Sequence, residues 1–240
     1  ARLEAEGKNT PADMLITADA GKLWAAARAG LLKPIKSEVL ENNIPAHLRD
    51  PGNEWFGLSI RARTLIYNTQ KVNPSELSTY EDLADSQWHK RLCLRTSKKV
   101  YNQSLVAMLI AEHGETEAER IVRGWVANLA TDPLSDDTRA LEFVAAGKCD
   151  VTLVNTYYFG RLMQKDPNLP LAIFWPNQNN SGVHVNISGA GITRYSRNEQ
   201  AAIKLLESLS SDKAQNLFAD VNMEYPANPR ISVDPFVAAW

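Results

Sequence analysis

The stretch Cys149-Asp150-Val151-Thr152-Leu153-Val154-Asn155-Thr156-Tyr157-Tyr158 decides how this chain is read. Val151 to Val154 is a short β-branched and aliphatic run of the kind that forms a buried strand. Two adjacent tyrosines follow its end. In an open α/β sheet the carboxyl ends of the strands face the crevice where ligands bind, so both phenols are placed at such a crevice. Neighbours along a strand point to opposite faces. Only past the strand end, in a turn, do both reach one ligand.

Outward from this run, Met14 to Thr17, Trp55 to Leu58, Thr64 to Asn68, Leu92 to Arg95 and Leu171 to Trp175 read as further strands. Helical patterns alternate with them. Lys22 to Ala29 stops at Gly30, Ser104 to Glu112 at Gly114 and Thr138 to Ala146 at Gly147, with Glu115 to Asn128, Asn198 to Leu209 and Asp212 to Asp220 completing the set. The alternation predicts an α/β protein with a largely parallel sheet. Arg2 to Glu6, closed by Gly7, reads as the last turn of a helix already under way. Ile60 to Tyr67 and Val183 to Gly191 suit strands that cross between two lobes.

The 240 residues, 44% hydrophobic and 22% charged, suit one large domain or two lobes with a packed core. A net charge of -2, with no dense Lys/Arg cluster, argues against a nucleic-acid footprint. No apolar run is long enough to cross a bilayer, which argues against membrane insertion. Cys93 and Cys149 lack the paired spacing of a zinc site, and each opens a strand candidate. Were those strands parallel neighbours, the thiols could be bridged, which implies an oxidising compartment. Two buried reduced thiols are the other reading. No signal peptide is present, as expected for a cytosolic protein or a mature exported one.

Tyr101 follows the strand candidate Leu92 to Arg95, in a loop before the helix expected at Ser104, so three phenols converge on one point. A buried phenol ordinarily stays protonated. A trivalent cation reverses that, because binding displaces the proton and neutralises the desolvated phenolate. Phenolates are the hard, charge-dense donors that ferric iron, Fe(III), prefers. Taken alone, Tyr101 or Tyr158 reads first as a packed ring at a sheet edge; the adjacent pair carries more weight. His47, His89, His113 and His184 are scattered, and only His184 is near a candidate crossover. Asp136 and Asp137 read as solvated acids at a turn, and no nucleophile, base and orienting group can be assembled, so no enzyme is expected. Gly189-Ala190-Gly191 is too short for a dinucleotide loop.

The runs Asn155-Thr156-Tyr157-Tyr158-Phe159-Gly160-Arg161-Leu162 and Val100-Tyr101-Asn102-Gln103-Ser104-Leu105 resemble those of the periplasmic ferric iron-binding proteins of bacterial ABC transporters. The likeness extends through Ala18-Asp19-Ala20-Gly21-Lys22-Leu23-Trp24, Trp55-Phe56-Gly57-Leu58-Ser59-Ile60-Arg61-Ala62-Arg63 and His184-Val185-Asn186-Ile187-Ser188-Gly189-Ala190-Gly191, across nearly the whole chain. It implies a two-lobed type II periplasmic binding fold with the ligand cleft between lobes: 1–64 and 186–240 in the first lobe, 65–185 in the second. Elements at both ends of the family fold are expected to lie outside this sequence.

The resemblance is to the branch with three tyrosinates, matching Tyr101, Tyr157 and Tyr158. The branch that uses a glutamate has Ala18 at that position here, with Asp19 one residue on. The resemblance further implies a periplasmic monomer that hands ferric iron to an ABC transporter permease. Three phenolates leave coordination positions for carbonate or another small anion, and a guanidinium holds such an anion through paired hydrogen bonds. Arg61 is assigned that role ahead of Arg63, since the two alternate along a strand. The competing reading is a binding protein for an organic anion or another metal on the same fold.

Overall fold

The structure, a computed structural model, describes residues 2–240. In chain order the elements are α1 (Arg2–Glu6), β1 (Met14–Thr17), α2 (Ala20–Arg28), α3 (Glu38–Asn43), β2 (Phe56–Asn68), β3 (Leu92–Cys93), α4 (Val100–His113) and α5 (Glu115–Ala127). They continue with α6 (Asp137–Ala145), β4 (Val151–Asn155), α7 (Thr156–Lys165), β5 (Leu171–Phe174), β6 (His184–Ile192), α8 (Glu199–Ser210), α9 (Asp212–Asn222), β7 (Tyr225–Pro226) and α10 (Pro235–Ala238). The chain divides into two compact units. One holds the residues up to Arg61 with Asn186–Ala239, and the other holds Ala62–Val185 with Trp240. The chain passes from unit to unit within β2 and again within β6.

Helix ends follow local chemistry. Asp19 caps α2 by accepting from the Lys22 N–H, and Asp136 caps α6 by accepting from the Arg139 N–H. Gly147 at φ 68° terminates α6 in the left-handed region, as its place after the helical pattern predicts.

In the first unit β1 pairs antiparallel with β6, from Met14 opposite Ile192 to Thr17 opposite Gly189, and β7 pairs antiparallel with the start of β2. Gly191 needs its missing side chain, because a Cβ there would sit 2.4 Å from the Glu54 carbonyl oxygen. The Gly-Ala-Gly run is therefore a strand packed against backbone. The core of this unit gathers Leu23, Ile35, Leu40, Phe56, Ile192 and Leu206.

In the second unit β2 pairs antiparallel with β4 and with β5, while β3 and β4 run parallel. The expectation of a largely parallel sheet is thus corrected. That expectation assumed that each strand returns through a helix, whereas β2 is one 13-residue strand that joins what read as two. Successive residues of β2 face opposite sides. Leu65 enters the cluster with Trp88, Leu105 and Trp125, and Ile66 the cluster with Leu141, Val144 and Phe159. Both sheet faces of this unit are covered, which explains why β4 is buried throughout. Cys93 and Cys149 are disulfide-bonded, which settles the pair left open by the sequence. Among the described residues no helix is long and apolar enough to cross a membrane.

Candidate metal centre

The second unit brings the three predicted tyrosines together. The chain leaves β3 and enters α4 at Val100, so Tyr101 lies in the first helical turn and not in a loop before Ser104. It leaves β4 directly into α7, which places Tyr157 and Tyr158 in a first helical turn where a simple turn was expected. Neither helix has a side-chain cap hydrogen bond at its N-terminus. The 14 residues of α4 and 10 of α7 direct their partial positive ends, roughly half a unit charge each, toward the phenol-bearing turns. Such ends favour anionic oxygen.

The Tyr157 and Tyr101 hydroxyl oxygens are 3.4 Å apart, and the Tyr157 and Tyr158 ring centroids are 4.4 Å apart. The Asn155 amide donates to the Tyr157 hydroxyl at 3.3 Å. Tyr157 is only 6% exposed. Burial, reinforced by the neighbouring Tyr101 hydroxyl, pushes its pKa well above the ordinary phenol value. Its phenol is therefore neutral in the metal-free protein, and only a strongly charged ion can exchange for the proton.

Cations flank the cluster. The Arg95 guanidinium carbon lies 5.1 Å from the Tyr101 ring centroid, and that of Arg161 lies 5.1 Å from the Tyr157 ring centroid. Beneath them is a fully buried ionic network. Asp137 accepts from Arg63 Nη1 at 3.0 Å, from the Asn155 backbone N–H at 3.1 Å and from Arg95 Nη1 at 3.5 Å. Arg63 also donates to the Asn102 side chain at 2.9 Å, the Asn155 side chain at 3.0 Å and the Leu153 carbonyl at 2.9 Å. Arg95 is held above its ordinary pKa: burial pulls it down, but Asp137 and a hydrogen bond with Tyr158 outweigh that pull.

Sequence reading missed Asp137, Arg95, Asn155 and Asn102. Asp137 is corrected from a solvated acid to a residue with no exposed surface, because only Asp136 of the pair serves as the helix cap. Arg95 carried a usable signal, being at the carboxyl end of a strand candidate.

Arg61 belongs to the first unit, where it is buried and donates to the Ser188 hydroxyl at 2.8 Å and to the Ala18 carbonyl. Arg63 is buried as well. Asp19 serves as a helix cap and accepts from the Asn186 amide at 2.8 Å. His184 opens β6, its backbone N–H donating to the Tyr80 hydroxyl at 3.0 Å. His113 pairs with Glu81 at 2.8 Å.

Two α/β units joined through strands, with a cluster of oxygen donors at the strand ends of one of them, define a binding protein of the type II periplasmic class. The family profile of bacterial extracellular solute-binding proteins matches residues 9–238, and the chain belongs to that family, whose members matched here are not enzymes. Iron uptake protein A2 of Synechocystis sp. is 46% identical over 246 residues, covering 99% of this chain and 71% of that protein. Iron uptake protein A1 of the same organism is 43% identical over 245 residues, with 100% and 68% covered. The solved structure of the Trichodesmium protein FutA (IdiA), in complex with iron and citrate ligands, is 46% identical with a TM-score of 0.91. It aligns over 99% of this chain and 77% of its own.

Proposed function

We propose that this chain binds ferric iron through the phenolates of Tyr101, Tyr157 and Tyr158 and delivers it in the periplasm to the permease of an ABC transporter for iron uptake. The observation that carries this reading is the convergence of the three phenols at two helix N-termini, with the Tyr101 and Tyr157 hydroxyls 3.4 Å apart. The similarity to two iron uptake proteins and to an iron-loaded relative supports the cargo, and the similarity to solute-binding proteins supports the permease as partner. The Cys93–Cys149 bridge fits the oxidising periplasm.

The protein's share of the chemistry is to offer three phenol oxygens, that of Tyr157 buried and its pKa raised, and to stabilise the resulting phenolates with helix ends and guanidinium groups. A small anion, carbonate or citrate among them, completes the coordination.

The test is a visible absorption titration of the purified protein with ferric citrate plus bicarbonate, beside Tyr157→Phe. A charge-transfer band that saturates near one iron per chain and is lost in the variant is expected. A folded protein that stays colourless would favour an organic anion or another metal as the ligand.

A further inference from the structure

We propose that Arg95 is a positioning residue of this centre: its guanidinium packs over Tyr101 and places a permanent positive charge beside the phenolates that hold the ion. The inference rests on the reading of the three tyrosines as ligands.

Three observations carry it. First, the charges of the buried network do not balance, since Arg63 and Arg95 share the single carboxylate of Asp137. Arg63 takes the better share, with its contact at 3.0 Å against 3.5 Å for Arg95. Arginine is rarely buried unless paired, and an uncompensated buried cation is costly. Yet Arg95 is only 9% exposed.

Second, the surplus charge faces the phenols. The Arg95 guanidinium lies over the Tyr101 ring at 5.1 Å, and Tyr101 and Tyr158 are both among the groups that raise its pKa, so its charge faces a tyrosine from each helix turn. Third, Arg95 Nε has no hydrogen-bond partner among the described residues, which leaves a buried donor in reserve. A neutral phenol satisfies such a cation poorly and a phenolate satisfies it well. The backbone that carries Arg95 is itself held, by a parallel bridge to Leu134 and by the Asn102 amide donating to the Arg95 carbonyl at 2.7 Å.

Arg95 and Arg63 are therefore separable. Arg63 has contacts on every face and its loss strips Asp137 of its nearest partner. Replacing Arg95 leaves Asp137 bound to Arg63 and to the Asn155 N–H, so the fold survives.

The experiment compares the wild-type chain with Arg95→Gln and Arg95→Lys. Each is titrated with ferric citrate, its visible band recorded and its iron retention measured against excess citrate. Thermal unfolding of each metal-free protein is followed in parallel. Removing a cation beside a phenolate raises the energy of its donor electrons and narrows the gap to ferric iron. Arg95→Gln is thus expected to load with a band at longer wavelength and to retain iron about tenfold less well, the scale of one charge-assisted hydrogen bond. Arg95→Lys restores the charge without the planar fork and should recover most of the band position.

A purely structural arginine would lower the unfolding temperature without moving the band. An unshifted band with undiminished retention in Arg95→Gln overturns the proposal. A wild-type protein with no band overturns the ligand assignment itself, at a step before any variant is compared.

Discussion

Removing the Cys93–Cys149 bond should strip stability from the unit that holds the tyrosines. The cysteines are 56 residues apart in sequence. For a closed loop of that length, the bridge withdraws about 14 cal/mol/K of entropy from the unfolded chain, or about 4 kcal/mol at 25 °C. Both sulfurs are buried in the cluster with Ile66, Leu141 and Val154, so a reductant reaches them only when the unit opens. The double variant Cys93→Ala/Cys149→Ala is therefore the cleaner perturbation. Amide hydrogen exchange followed by mass spectrometry gives the local readout. At 1.4 kcal/mol per factor of ten, the slowest amides of β4 should lose about three decades of protection. Those of β6 between Gly189 and Ile192, in the other unit, should change far less. A loss below tenfold in β4, or an equal loss in both units, would refute the assignment of the bridge as an entropic clamp on this unit.

Gly124→Ala should destabilise by about 1–3 kcal/mol in urea, because the new Cβ would lie 2.4 Å from Ala84 Cβ and the helix would have to shift. Tyr80→Phe should cost about 1–3 kcal/mol in the same assay: the hydroxyl donates to the Arg63 carbonyl and accepts the His184 N–H, and both partners would be left buried. Asp13 is held down to about 2 by hydrogen bonds from the Asn198 and Ser196 side chains. Its contribution is complete above the ordinary value of 3.8 and disappears as pH falls through about 2. Asp13→Asn should remove that step from acid unfolding followed by circular dichroism. Because burial raises the Tyr157 phenol, iron loading should release protons into a weakly buffered indicator solution and tighten as pH rises. A pH-independent affinity without proton release would contradict phenolate binding.

How much of this was legible in the sequence differs between frame and site. Strands such as Met14–Thr17 and helices closed by Gly114 or Gly147 were readable because periodicity and caps are local. The helix α7 was not, since Tyr157 and Tyr158 directly follow a strand and no capping side chain marks its start. The tyrosines themselves were legible from their place at strand ends. The Arg63–Asp137–Arg95 network was not, because it joins positions 42 and 74 residues apart whose meeting depends on β2 lying beside β4. Buried acids also look like surface acids in a string of letters. Asp136 stops at the cap of α6, whereas Asp137 opens the helix and turns into the buried side.

The choice of phenols over carboxylates at such a centre has a physical consequence for selectivity. A carboxylate, with an ordinary pKa of about 4 against about 10 for a phenol, gives up its proton to almost any cation. The buried Tyr157 phenol, its pKa raised by burial, stays neutral until an ion displaces its proton. Each proton lost must be repaid in Coulomb attraction, which scales with the charge of the incoming ion. A trivalent ion gains half as much again at each phenolate as a divalent one at equal distance, so under the proposed tyrosinate binding discrimination accumulates over Tyr101, Tyr157 and Tyr158. Arg95 and Arg161, each with its guanidinium carbon 5.1 Å from a tyrosine ring centroid, lower the cost of making phenolates. On this reading the selectivity for ferric iron is built into the protonation chemistry of the tyrosines, and the guanidinium groups beside them ease the loading.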